Sequence, residues 1–330
     1  MNNRIVKGKF LGCLLGAAIG DAVGQAIGTT IYDFEEEDRQ VSSDEIQDLA
    51  RVLPTMSYTD DTHMTIGVAE SLIACKGFDG SHMVQRFIAN YDNEPWRGYA
   101  PGPPNIFELI KQGRPWNKAA ADIYPDGSFG NGAAMRVSPL GLFFWDNHAR
   151  LIQAVYHASR ITHHHPLGVE GAILEAIAVA LAVEEPPTSS FDVRLFISNL
   201  LGYTTEDVYH TKIASMESLL ACPDDKARIV EELGHGVEAF NSVPAAIFSF
   251  LSNHRSFIST VTYAISLGGD TDTIASMAGA ISGAYLGIDA IPGDWIEQVE
   301  NRDYILRLAY KLWQVSIKSQ KESGHLLLEP

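Results

Sequence analysis

The sequence predicts an all-α fold, a single compact multi-helix domain spanning residues 1–330. Three observations lead to it. Apolar residues recur with a 3.6-residue period along most of the chain, with recognisable caps. Period-2 strands bounded by hairpin turns are scarce. No linker separates two compositions, and no 20–50-residue repeat is evident. At 330 residues and 46% hydrophobic content the chain buries a large core without staples.

The elements follow in order. An apolar run from Phe10 to Gly20 carries Gly12, Gly16, Gly20, Gly24 and Gly28, spaced every four residues, which sets five glycines on one helical stripe. Lys7, Lys9 and Leu11-Gly12-Cys13 imitate an export signal. However, most of the apolar stretch follows Cys13, and Asp21 breaks it before the roughly 20 residues that a spanning helix needs. The segment therefore reads as a buried helix whose glycines admit another backbone, and no membrane partner is expected. Met64–Cys75 sets Ile66, Ala69, Leu72 and Ile73 on one face. Pro104 opens a short helix, Asn105–Gln112, that Gly113 closes. Pro166 opens Leu167–Val183, ended by Glu184-Glu185-Pro186-Pro187. Further helices are expected at Phe191–Leu200, Asp225–Leu233, Ser256–Leu267, Ile274–Leu286 and Ile305–Lys318. The stretches Tyr91–Pro104 and Tyr124–Asn131, rich in Gly, Pro and aromatics, are the loops expected to carry function.

Charge and cysteine content exclude several classes. The net charge of −17 opposes an electrostatic grip on nucleic acid or an anionic membrane. It leaves room for an anionic small molecule, because local amide donors oppose the global sign. Cys13, Cys75 and Cys222 lie far apart without a CxxC pair, which excludes a disulfide framework and a cysteine zinc site and suits a reducing cytoplasm.

Four segments carry candidate chemistry. Tyr58-Thr59-Asp60-Asp61-Thr62 precedes a helix, where capping alone is the ordinary explanation. Gly268-Gly269-Asp270-Thr271-Asp272-Thr273 enters a helix of small and apolar residues; capping accounts for one aspartate but not for both and the adjoining glycines. Two carboxylates at a buried helix end repel unless a cation lies between them. Clustered carboxylates with Thr hydroxyls are hard oxygen ligands suited to Mg²⁺ or Mn²⁺, and if the clusters meet they supply Asp60, Asp61, Asp270 and Asp272, enough for two ions. Gly127-Ser128-Phe129-Gly130-Asn131-Gly132 is a glycine-rich loop feeding a helix. Its amides suit phosphate and Phe129 suits stacking on a base, with an ordinary loop as the equal alternative; no Gly-Lys-Ser/Thr follows, so it is not a P-loop. Of Thr162-His163-His164-His165-Pro166, His164 and His165 read as surface or loop-bonding residues, and only His163 stays open as functional. Asp122 and Asp126 read as turn residues.

The segments GCLLGAAIGDAVG, YTDDTHMTIGVAESL, RGYAPG, GSFGNGAAMRVSPLGLF, RITHHHPLG and SLGGDTDTIASMAGAISGAYLG, in this order from Gly12 to Gly287, resemble the ADP-ribosylglycohydrolase family. The resemblance implies an all-α fold and two Mg²⁺ (or Mn²⁺) ions held by Thr59, Asp60 and Asp61 with Asp270, Asp272 and Thr273. It implies that Gly127, Ser128, Phe129, Gly130 and Asn131 hold the diphosphate and flank the adenosine. Gly98 and Gly102 then lie beside the ribose, and His163 lies near the phosphates. The implied reaction is hydrolysis of the bond between ribose C1″ and a protein side chain, with Asp60 or Asp61 orienting or deprotonating the water. The substrate is then an ADP-ribosylated protein or another ADP-ribose compound. The THHHP segment leans toward arginine-linked ADP-ribose, with serine-linked ADP-ribose, O-acetyl-ADP-ribose and ADP-ribosylated nucleic acid as alternatives. One departure stands out: where many members carry a glutamate after the GDAVG-like segment, a gapless count gives Gly28, with Asp33, Glu35, Glu36 or Glu37 as replacements after a shift. That departure keeps a weak or non-catalytic ADP-ribose binder as the second reading. A metal-dependent phosphohydrolase, the third, leaves the GSFGNG loop unexplained.

Overall fold

The computed structural model of the protein describes residues 2–31, 41–53, 55–186 and 191–326. Helices α1 (Asn3–Ile31) and α2 (Ser43–Val52) lead to α3 (Asp60–Cys75) and α4 (Gly80–Asn93). Two short helices, α5 (Gly102–Lys111) and α6 (Ala119–Ile123), precede a 3-10 turn at Asn131–Arg136. Then come α7 (Ser138–Phe143), α8 (His148–Ser159) and α9 (Pro166–Glu184). Helices α10 (Val193–Leu201), α11 (Asp207–Leu219), α12 (Lys226–Leu233), α13 (Ala239–Asn253) and α14 (Phe257–Ser266) follow. The last are α15 (Thr271–Leu286), α16 (Gly293–Gln298) and α17 (Arg302–Leu326). Among the described residues extended pairing is limited to isolated bridges, Met56 with Val299 and Gly130 with Glu238. The all-α expectation holds.

The glycine stripe of α1 is the seam that positions everything else. A Cβ at Gly12 would lie 2.6 Å from the Gly283 carbonyl oxygen, at Gly16 2.4 Å from that of Gly279, and at Gly20 2.0 Å from that of Ala275. Gly279 and Gly283 repay the contact, each with no room for a Cβ against the backbone of Gly16 and Gly12. Helices α1 and α15 therefore run antiparallel in direct backbone contact, which only residues without side chains permit. At the end of the seam Gly24 meets Thr271 and Asp272, and the Thr271 hydroxyl donates to the Gly24 carbonyl at 3.1 Å. The small residues of α15 thus carry the GDTDT segment onto the middle of α1, beside Asp21.

Helix α9 is buried on nearly all sides, as a core helix with no polar face must be. Both α9 and the Asn3–Gly28 part of α1 are long and apolar enough to cross a membrane, and 83% of each apolar window is buried inside the protein. Start signals act as expected: Pro166 occupies the first turn of α9, and Asp192 caps α10 by accepting from the Leu195 amide at 3.0 Å. That cap moves the helix start from the expected Phe191 to Val193. The last helix runs from Arg302, beyond the expected Ile305–Lys318 window at both ends. Asp122 lies in α6 rather than a turn, where it pairs with Arg114 at 2.6 Å.

Candidate active site

The first acidic cluster begins α3. Thr59 is its N-cap, with extended backbone, and its hydroxyl oxygen accepts from the Asp61 amide at 3.3 Å. Asp60 and Asp61 fill the first turn, where the helix dipole favours negative charge. A third carboxylate, Asp21 of α1, is fully buried and clamps this turn. It accepts from the Thr59 amide at 3.1 Å and its hydroxyl at 2.9 Å, and from the Thr62 amide at 3.1 Å and its hydroxyl at 2.6 Å. With its proton held by Asp21, the Thr59 oxygen keeps a lone pair for another electron acceptor.

The second cluster begins α15 by a different device. Gly268 and Gly269 both have left-handed backbone, φ 75° and 69°, and a Cβ at Gly269 would lie 2.1 Å from the His235 carbonyl oxygen. Only glycine fits there. The Asp270 amide donates to that same carbonyl at 2.9 Å. Asp270 sits at the N-cap position but makes no capping bond; its side chain is held instead by the Asn131 amide group. The Thr273 amide donates to Asp272 at 2.9 Å.

The seam brings these two helix starts together, and the charges register it. Burial, reinforced by the other carboxylates, pushes Asp60 and Asp270 up to about 7. Asp21 also rises to about 7, through burial and Asp272, against the pull of its Thr partners. Asp61 rises as well, through burial and then Asp21 and Asp272. Its Oδ2 is buried without a hydrogen-bond partner. Among the described residues, no three His, Cys, Asp or Glu side chains form a ready-made metal cage. The donor set is nonetheless that of a hard divalent cation: carboxylate and hydroxyl oxygens gathered against their mutual repulsion, one of them, Asp61 Oδ2, orphaned.

A cavity of about 380 Å³ opens from these acids, lined by Asp60, Asp61, Asp270, Asp272 and Thr273. Ser128, Gly130, Asn131, Arg136 and His163 line it as well. Arg136 is buried at the end of the 3-10 turn. Its guanidinium donates to the Ala158 carbonyl at 3.2 Å and to the Thr162 hydroxyl oxygen at 2.8 Å, and it stacks 5.0 Å from the Phe87 ring. The Thr162 hydroxyl, accepting from Arg136, gives its own proton to His163 Nδ1 at 2.7 Å. Burial and then Arg136 lower His163 to about 3, so the ring is neutral, with its remaining proton on Nε2. Nε2 faces Gly130 and Gly132, within 3.5 Å of where their Cβ atoms would be. Cation and imidazole N–H thus line the same cavity as the acids, a combination suited to a substrate anionic at one end.

The other expected site residues divide. Gly98, with φ 86°, has its Cβ direction 3.8 Å from Asp60 Oδ1 and lines the cavity. Gly102 does not line it: a Cβ there would collide with the Tyr124 hydroxyl at 2.6 Å, so this glycine packs α5 on the following loop. Gly127, φ 86°, likewise serves a tight turn against His165. The Phe129 ring is 46% exposed and sits between His165 and Phe240, outside the cavity lining. The Gly130 and Asn131 amides are already engaged, by the Ser128 hydroxyl at 3.2 Å and the Val237 carbonyl at 2.9 Å. The loop's amides without a partner among the described residues are those of Ser128 and Phe129. His164 reaches only the Pro125 carbonyl, and His165 caps α9.

Sequence reasoning passed over Asp21, although a lone carboxylate inside an apolar helix is itself a signal. It also passed over Arg136, whose surroundings read as core. Gly28 proves to be the last glycine of the seam, its Cβ direction 2.5 Å from the Thr271 hydroxyl oxygen. Among the described residues outside α1, Thr271 is the one neighbour within 4 Å of that Cβ position, so a side chain at Gly28 would crowd its hydroxyl. Asp33, Glu35, Glu36 and Glu37 lie outside the described residues.

The chain matches known proteins over most of its length. Mouse "ADP-ribosylhydrolase ARH3" is 36% identical over 298 residues, 79% of each chain. The human protein of that name is 36% identical over 295 residues, 79% of this chain and 80% of that one. A solved structure described as an ADP-ribosylglycohydrolase-related protein complex superposes with a TM-score of 0.71 at 25% identity, covering 95% of this chain and 99% of the other. The family model for ADP-ribosylglycohydrolase matches residues 2–322, and the chain belongs to that family.

Proposed function

We propose that this protein is a metal-dependent hydrolase that releases ADP-ribose by breaking the bond between ribose C1″ and an acceptor side chain. The observation that carries the reading is the pairing of two acid-bearing helix starts in one cavity that Arg136 and His163 also line. The family of the chain supports the reaction class.

Thr59, Asp60 and Asp61 with Asp270, Asp272 and Thr273 would hold two divalent ions, Mg²⁺ or Mn²⁺. Bound there, such ions supply Lewis-acid polarisation and offset the repulsion among the carboxylates. The chain's own residues do the rest. Arg136 and the Nε2–H of His163 favour the diphosphate end, which orients the ribose toward the acids. Asp60 or Asp61 orients a water and takes its proton as the oxygen bonds to C1″. The C1″–acceptor bond breaks with its electron pair on the acceptor heteroatom, which then gains a proton. The surrounding carboxylates favour the oxocarbenium character of the transition state. The arginine preference drawn from THHHP gains no support from the geometry, since His164 and His165 serve local structure. Arginine- and serine-linked ADP-ribose are therefore both tested.

The test follows ADP-ribose release from peptides of both linkages, in Mg²⁺ and in EDTA, with an Asp270→Asn/Asp272→Asn variant alongside. The proposal requires release from at least one peptide that EDTA and the variant both abolish. Undiminished release in EDTA contradicts the metal requirement. Binding of free ADP-ribose with no release from any substrate identifies a non-catalytic binder.

A further inference from the structure

A second, larger cavity of about 570 Å³ lies against the same acids. It shares Asp60, Gly98 and Asp272 with the cavity described above, so these three residues are the partition between the two. We propose that this second cavity receives the acceptor side of the scissile bond, as an extended segment of the modified protein, and that Trp96 is the residue that grips it. The inference rests on the hydrolase reading and deepens it.

A bond cleaved at the acids must have its two halves on different sides of the reacting carbon. The 380 Å³ cavity holds Arg136 and His163, the donors that suit an anionic ADP-ribose. The other half then lies across the partition, where the remaining space is ligand-sized.

The wall of that space is also fixed in place. Arg97 donates to Glu94, to Glu300 and, at 2.9 Å, to the Tyr58 carbonyl, and its guanidinium lies 4.2 Å from the Tyr58 ring centroid. Glu300 accepts in addition from the Tyr58 amide at 2.9 Å. This latch ties three separate segments together: the loop before Gly98, the approach to Asp60, and the turn leading into α17. It leaves Gly98 in its left-handed conformation beside Asp60.

Next to the latch stands Trp96, 73% exposed and on the cavity lining. An indole displayed on a rigid support beside a reaction centre is a ready anchor: it offers a large contact area at little entropic cost. Residues flanking a modified side chain extend beyond the scissile bond and supply the contact area such an anchor uses, so the occupant we assign is a polypeptide.

The experiment compares wild type, Trp96→Ala and Trp96→Phe on an ADP-ribosylated peptide and on O-acetyl-ADP-ribose, with free ADP-ribose binding measured by calorimetry. Trp96→Ala should raise KM for the peptide about tenfold, the loss of a modest aromatic anchor. Its kcat should stay within about twofold, its KM for O-acetyl-ADP-ribose should not move, and its affinity for ADP-ribose should match wild type. Trp96→Phe should recover most of the loss. An unchanged KM for the peptide, or equal losses on both substrates, overturns the acceptor-side assignment and leaves the hydrolase reading standing. Absence of wild-type turnover on every substrate overturns both.

Discussion

The two acid-bearing helix starts face each other but are built on opposite principles. At α3 the backbone is held by hydrogen bonds: Thr59 caps the helix, and the fully buried Asp21 takes up the amides and hydroxyls of Thr59 and Thr62. At α15 the N-cap position makes no capping bond, and the chain is held by shape, through the Gly268-Gly269 turn and the backbone seam with α1. One cluster is placed by polar chemistry and tolerates small movements of its neighbours. The other is placed by the absence of side chains and tolerates none. The difference predicts distinct ways for each half of the site to fail.

The largest effect should come from the seam. Gly20→Val sets branched carbon atoms where even a Cβ would lie 2.0 Å from a backbone oxygen. We expect a loss of about 3 kcal/mol or more in thermal denaturation, because neither helix has a side chain to move aside. Next is the polar clamp. Asp21→Asn keeps the shape but replaces an acceptor oxygen with an NH₂ group facing donors. It should lower kcat about 100-fold while costing only about 1–3 kcal/mol of stability, the scale of one mispaired buried group. A drop in stability as large as that of Gly20→Val would erase the distinction between the two supports.

Acidity sharpens the comparison further. Asp21, Asp60 and Asp270 have folded-state values raised to about 7 from an ordinary value near 4. The folded protein therefore keeps protons that the unfolded chain has already lost above about pH 4. In EDTA its stability should fall as pH rises from about 4 to about 7 and level off beyond. A melting temperature that rises over that interval would contradict the assignment. Adding Mg²⁺ at pH 8 should raise the melting temperature, and Asp61→Asn, which removes one of the crowded charges, should itself raise it in EDTA while abolishing turnover. The smallest effect concerns Gly28. Because the Thr271 hydroxyl fills the space next to it, Gly28→Glu should lower activity by severalfold rather than enhance it, measured as kcat on the preferred peptide.

The sequence disclosed what repeats and what clusters. Five glycines at four-residue spacing announced a close helix contact, and the GGDTDT segment announced more carboxylates than capping needs. It did not disclose that the partner of the stripe is α15, so the meeting of the two clusters stayed conditional. The pairing depends on Gly279 and Gly283 lying opposite Gly16 and Gly12, a relation between residues more than 260 apart. At Gly102 and Gly127 a packing contact and a turn need the same residue that a ribose or phosphate contact would, so glycine identity does not separate the two roles. At Phe129 the ring packs on His165 and Phe240, a contact its identity did not announce. Arg136 stayed hidden because its cavity-lining position and its core packing against Phe87 belong to one side chain.

The central claim is that the two helix starts form one catalytic unit. A double-mutant cycle on Mg²⁺-dependent ADP-ribose release tests it directly, with Asp61→Asn from the α3 cluster, Asp272→Asn from the α15 cluster, and the pair combined. If both acids serve one site, each single change should cost about 10³-fold and the double little more than either, because a broken unit has nothing further to lose. Losses that multiply in the double variant would mean that the two helix starts act independently, and the account would be wrong.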